Sequence, residues 1–127
     1  MSPFKHNHDA VSYLSPNTVL DGHIHANGDV HIDGTFSGSV TCNGDVIIGK
    51  GSKVTGELKA KNVLISGHFK GNVHAVELLE IFASGQIEGD IQGSRLTIHE
   101  GGMYKGKVNM DVIHSSSLYE GSFQLPQ

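Results

Sequence analysis

Nine histidines, one cysteine and a pair of close carboxylates are the residues of this chain best equipped for chemistry. His23, His25 and His31 cluster most closely, and imidazole is a common metal ligand. In an extended strand His23 and His25 point the same way, with Ile24 turned to the opposite side. A metal centre needs three or four convergent N, S or O donors. The next repeat places Ser39 and Thr41 beneath that pair, so the donor set stays short. These histidines are expected on solvated surface, and no metal is assigned. Glu88 and Asp90 flank Gly89, and paired carboxylates can share acid–base work. Their alternation puts both on a flat outward face without a pocket, so no catalytic residue is assigned. Cys42 falls in a column of small inward residues and is expected in the core.

The elements that place these groups are repeats. GTFSGSV at residues 34 to 40 returns as GSKVTGEL, GHFKGNV, GQIEGDI and GMYKGKV. The apolar residue after the second glycine gives a column of Ile24, Val40, Leu58, Val73, Ile91 and Val108, spaced by 16, 18, 15, 18 and 17 residues. Four positions earlier run Leu20, Phe36, Val54, Phe69, Ile87 and Tyr104. Two positions later run Ala26, Cys42, Ala60, Ala75, Gly93 and Met110, mostly small. An apolar-x-apolar pair follows as Val30/Ile32, Val46/Ile48, Val63/Ile65, Leu79/Ile81 and Leu96/Ile98. Period-two alternation marks strands with one face inward. No stretch keeps helical spacing; Val76-Glu77-Leu78-Leu79 comes nearest and is too short.

Such a unit cannot bury its apolar face alone, but stacked on its copies it can, as one coil of a parallel β-solenoid. The predicted fold is all-β: a right-handed parallel β-helix of about six short coils with flexible N- and C-terminal tails. Crossovers between parallel strands are strongly biased to the right hand. Left-handed β-helices carry strict hexapeptides, of which only Ile48, Gly49 and Val54 offer a sample here. The division expected is a flexible tail over 1–17, a β-helix over 18–110 and a second tail over 111–127.

Composition narrows the function classes. A formal charge of −4 and an isoelectric point near 6.1 give no general attraction for nucleic acid or anionic lipid. The 17 glycines are about twice the average share, and with only 3 prolines they argue against a plain linker. One cysteine excludes an intramolecular disulfide framework and fits a reducing compartment. No apolar run approaches the roughly 20 residues of a membrane span, and no signal-peptide core is seen. A soluble intracellular domain is the expectation.

The stretch from about Leu20 to Val108 resembles the bactofilins, a family of bacterial cytoskeletal proteins. The resemblance rests on GDVHIDGTFSGSV, VIIGKGSKVTGEL, ISGHFKGNVHAVELLEIFASGQIEGDI and LTIHEGGMYKGKV, in that order. It implies a right-handed β-helix of triangular section that polymerises without nucleotide into non-polar filaments, N-terminal end to N-terminal end and C-terminal end to C-terminal end. It further implies membrane-associated scaffolds that localise cell-wall enzymes or membrane proteins and influence cell shape. The location implied is the cytoplasm, at the inner face of the cytoplasmic membrane. A role for an aromatic at the C-terminal contact is implied too, with Tyr104 and Phe123 both available.

Elementary physics points to the same behaviour. The first and last coils of a stack present unpaired N–H and C=O groups and open apolar columns, which a stable monomer must cap. Tyr104, Val108 and Met110 are the expected C-terminal contact, with Val112 and Ile113 following. Leu20, Ile24, Val30 and Ile32 are the expected N-terminal contact. Met1, Phe4 and Lys5 match, loosely, the short membrane-touching tail that the resemblance implies. No cofactor is expected, and the partners expected are further copies of the chain, membrane lipid and cell-wall or membrane proteins, not nucleic acid. Two other classes compete. A non-polymerising binding module would use the exposed sheet faces. An enzyme akin to left-handed β-helix acyltransferases or γ-class carbonic anhydrases would need sustained hexapeptides and a long inserted loop, which the sequence lacks.

Overall fold

Alternating apolar residues bounded by glycine-rich corners dictate short strands, and the strands stack in parallel. The computed structural model describes residues 11–115. Its strands are β1 (Val11–Leu14), β2 (Val19–Ala26), β3 (Asp29–Ile32), β4 (Thr35–Cys42), β5 (Asp45–Ile48), β6 (Lys53–Ile65), β7 (His68–Ile81), β8 (Gln86–Ile98) and β9 (Met103–Ser115). All strand pairings among them are parallel. β2 with β3 makes the first coil and β4 with β5 the second. Each of β6 to β9 runs through a whole coil, so about six coils form a parallel β-solenoid.

The column alignment read from the sequence is the register observed. Ile24 pairs with Val40, Val40 with Leu58, and so on through Val73 and Ile91 to Val108. Val30, Val46, Val63, Leu79 and Leu96 stack likewise, each at most 1% exposed. Every coil keeps an eight-residue and a four-residue extended segment in this register. The varying repeat length comes from two corners. One holds two residues (Asp33-Gly34, Ser66-Gly67) or four (49–52, 82–85, 99–102), the four-residue form closed by a bond such as Ser52 N–H to the Gly49 carbonyl at 3.1 Å. The other holds one residue or two.

Val76 and Glu77 are the two-residue version of that second corner, where β6 and β8 have Lys61 and Ser94 alone. The segment nearest to helical spacing is therefore a bulged strand. A bulge accommodates an extra residue without shifting the register beyond it.

A third corner lies inside the longer segment. Gly22, Gly38, Gly56, Gly71, Gly89 and Gly106 stack in one column with φ between +130° and +139°. A Cβ on Gly38 would overlap the Gly22 carbonyl oxygen, and the same clash recurs down to Gly106. Only glycine satisfies both the dihedral and the close approach. Three corners give the stack three sides.

The strand system runs further than the 18–110 span expected. β1 lies within the segment assigned to the N-terminal tail and pairs with β3; β9 continues to Ser115 along β8. In both places an existing strand edge offers partners to backbone that would otherwise be left for water alone.

Candidate functional site

The ends of the stack are where the chain has unfinished structure. β2 pairs with β4 on one side and has no strand neighbour on the other among the described strands. The consequence shows in equivalent residues. Leu20 is 38% exposed, whereas Phe36 directly beneath it is 1% exposed. Ile24 is half-buried where Val40 is fully buried, while Val19, 74% exposed, belongs to the outward column of Thr35 and Lys53. Gly22 completes the picture: alone in its column, it would meet nothing if it carried a Cβ. An eight-residue strand edge and an apolar row thus lie open at the N-terminal end.

That opening is narrower than the sequence predicts. Val30 and Ile32, expected in the same contact, are 1% and 0% exposed, because β1 lies over β3 and sets Ser12 and Leu14 against them. The corner between β1 and β2 is closed as well: the Thr35 N–H donates to the Thr18 carbonyl at 2.9 Å, and the Asp33 N–H to that of Leu14 at 2.8 Å. Leu20 and Ile24 remain at the end; Val30 and Ile32 belong to the interior.

The C-terminal end is built differently. Tyr104, Val108 and Met110 lie on the inner side of β9, the last coil, but are 2%, 4% and 7% exposed. Tyr104 leans back so that its hydroxyl donates to the Gly89 carbonyl at 3.1 Å. Burial, with the nearby Asp90 charge, raises its phenol above the usual range. Met110 reaches toward Gly93, its methyl 3.4 Å from where a Cβ would stand, a place the Ala75 carbonyl already closes to any side chain. These residues therefore do not form an apolar opening in the single chain. What this end presents is the β9 edge, with a strand neighbour on one side only among the described strands, and the exposed Met103 and Val112. Phe123, the other aromatic expected here, and Met1, Phe4 and Lys5 lie outside the described residues.

The residues singled out for chemistry are dispersed. His23 bonds to Ser39 in the next coil. His31 sits on another side of the stack, its Nε2 3.1 Å from Asp33 Oδ1, and Tyr13 donates to Asp33 Oδ2 at 2.7 Å. Among the described residues no three His, Cys, Asp or Glu side chains come together as a metal site. Glu88 and Asp90 are exposed on either side of the glycine corner. They flank open troughs of about 530 Å³ along two sides, one lined by Glu57, Asn72, Asp90 and Lys107 and the other by Lys70, Glu88 and Lys105. Cys42 is in the core, where burial pushes its thiol up and the charges of Asp29 and Asp45 add to the effect, against a backbone hydrogen bond from Gly44.

Sequence reasoning missed the polar ties between coils. Asp29 Oδ1 accepts the Asp45 N–H at 2.8 Å, and Asp45 Oδ1 accepts from Asn62 Nδ2 at 2.9 Å. His99 Nε2 approaches Glu80 Oε2 to 2.5 Å while its ring stacks on Phe82, centroids 4.9 Å apart. Their signal was present as polar residues one repeat apart, visible only once corner lengths were known.

The comparisons with known proteins converge. The bactofilin family model, described as polymer-forming cytoskeletal, matches residues 12–109. Bactofilin BacO of Myxococcus xanthus strain DK1622 is 29% identical over 103 residues, covering 81% of this chain and 82% of the relative. Bactofilin BacP of the same strain is 27% identical over 105 residues, covering 83% of this chain but 44% of the relative, so the chain spans less than half of that protein. A Thermus thermophilus bactofilin, reconstructed by cryo-electron microscopy as double helical filaments, superposes with a TM-score of 0.66 at 27% identity, over 80% of this chain and 98% of that one. With the stack, its register and its open end in place, this chain belongs to the bactofilin family of polymer-forming cytoskeletal proteins.

Proposed function

We propose that the chain is a scaffold that assembles end to end, without nucleotide, into non-polar filaments which organise cell shape and cell-wall-related proteins at the membrane. The observation that carries this reading is the bare β2 edge, with Leu20 38% exposed and Ile24 half-buried at the end of an otherwise sealed stack. Covering the part of Leu20 still exposed is worth about 1 kcal/mol or less. Each backbone bond made along the edge adds about 1 kcal/mol net. Edge pairing of this kind draws its free energy from burial and hydrogen bonding, so it has no need of nucleotide hydrolysis.

A non-polar filament requires two isologous contacts, each joining a surface to a second copy of itself. The N-terminal contact uses the β2 edge with Leu20 and Ile24. The C-terminal contact uses the β9 edge, held in place from within by Tyr104, Val108 and Met110. Membrane association through Met1, Phe4 and Lys5 is weak per chain and becomes effective by repetition along a filament. The filament form of the T. thermophilus relative supports the polymer reading.

The test is direct. Purified full-length chain, without nucleotide, is expected to sediment and to form filaments in the electron microscope; a monomer that persists at high concentration contradicts the proposal. Deletion of residues 2–8 is expected to release a fluorescent fusion from the membrane while leaving filaments intact. Unchanged membrane association would remove the role given to that tail.

A further inference from the structure

Burial in the last coil is uneven. No described strand lies over the first eight residues of β9, residues 103–110, yet their inward Tyr104, Val108 and Met110 are all buried. On the third side of the stack, made of β1, β3, β5 and the last parts of β6 to β9, the same strand behaves as an uncovered one. Ile113 is half-buried there, where its partner Leu96 in the coil below is fully buried. The N-terminal end shows how a bare eight-residue segment looks, with Leu20 exposed and Ile24 half-buried. The strand counts are uneven as well. Among the described residues the third side stacks seven segments, from β1 to the end of β9, and the other two sides stack six, from β2 to the start of β9.

We propose that residues 118–125 supply the missing segment, a parallel strand in register on residues 103–110, so that the chain covers its own last coil. The sequence beyond Ser115 repeats the coil phrase: SLYEGSFQL aligns position by position with GMYKGKVNM. Tyr119 then falls on Tyr104, Gly121 on Gly106, Phe123 on Val108 and Leu125 on Met110. Corner lengths agree. Ser116-Ser117 is a two-residue corner like Ser66-Gly67, and the step from Val108 to Phe123 is 15 residues, as from Leu58 to Val73. Gly121 meets the demand of a column whose members stand at φ between +130° and +139°. Charge fits too. Outward Lys70, Glu88 and Lys105 stack in one column, and Glu120 continues its alternation, opposite charges on neighbouring strands being favourable. Pro126 follows where the next corner would begin, and without an N–H it ends the ladder.

The segment changes what the C-terminal end offers. Every coil then begins on the third side and ends on the second, from β1 with β2 to the end of β9 with residues 118–125. Over two sides the free strand edge passes to this segment, with Tyr119, Phe123 and Leu125 as the last inward row; on the third side it stays with β9. These residues lie beyond the span 12–109 that the family model matches. That the new edge joins a second copy rests on the end-to-end polymer reading, whereas the added strand itself does not.

The experiment is oxidative cross-linking of the full chain carrying paired cysteines, read by mass and on gels without reductant. Lys107→Cys/Ser122→Cys sets two outward residues opposite each other at about 4.8 Å between Cα atoms, within disulfide reach. Lys107→Cys/Gln124→Cys shifts the pair by two residues, to about 8 Å, beyond that reach. The first variant is expected to form a disulfide within one chain at least about tenfold faster than the second. Lys107 is exposed and the other two positions face outward in this register, so neither variant burdens the core, while Cys42 is buried and stays out of the oxidation. Disulfides at equal rates in the two variants would overturn the proposal, and so would none in either. Links formed only between chains would overturn it as well, by giving the segment to a second copy. The link within one chain is scored whether or not filaments form, so a cross-linked chain that yields no filaments would overturn the polymer reading alone.

Discussion

A glycine in the middle of a coil carries more of this fold than any side chain with reactive chemistry. Gly71 sits at φ +136° with the Gly56 carbonyl oxygen where a Cβ would go. Gly71→Ala is expected to cost about 3 kcal/mol or more, combining backbone strain with a clash that the stacked neighbours cannot relieve. Thermal unfolding checks this, and an unchanged midpoint would contradict it. Cys42 supplies a second reading at this scale. Its thiol is raised by burial first and by Asp29 and Asp45 second, so the thiolate forms only at higher pH than in an unfolded chain. Labelling by a thiol reagent is expected to stay slow as pH rises through the range where an exposed thiol ionises, and to become fast on unfolding. The inward positions of Cys42 and the outward positions of His23 and His25 were legible from alternation alone. The bond of His99 to Glu80 was not, because it joins two coils and depends on how many residues the corner between them holds.

At the scale of the element, β2 and β9 are the two edges that the proposed assembly joins. Leu20→Lys places a charge on the open apolar row and is expected to break the N-terminal contact, leaving pairs joined through their C-terminal ends. Val108→Arg acts through the other end: an unpaired charge in a site 4% exposed costs several kcal/mol and unseats β9. Pairs joined through N-terminal ends are expected there. Light scattering on the eluted species checks both, and unbroken filaments from either variant would remove its proposed contact. The coils themselves were readable because eight- and four-residue segments recur unchanged while only corners vary. The ends were less readable. β1 has four residues and no glycine phrase, so nothing in its own sequence marks it as the cover of Val30 and Ile32. Ile47 and Leu64 face outward between inward pairs, where an apolar residue is indistinguishable by type from the core residues beside it.

The whole molecule is a short rod with unlike ends and unlike sides. One end leaves a strand edge and an apolar row exposed, and the other keeps its last inward residues covered. Two sides are polar, and the third is partly apolar with its charges divided between early and late coils. The proposed growth runs along the axis, because only there would each added copy extend the hydrogen-bonded stack. The most direct measurement is diffraction from aligned filaments grown without nucleotide. Strands lying across the filament predict a strong meridional reflection at about 4.8 Å, from coils stacked continuously through subunit after subunit. Filaments without that reflection, or a solution that yields no filaments, would contradict the account.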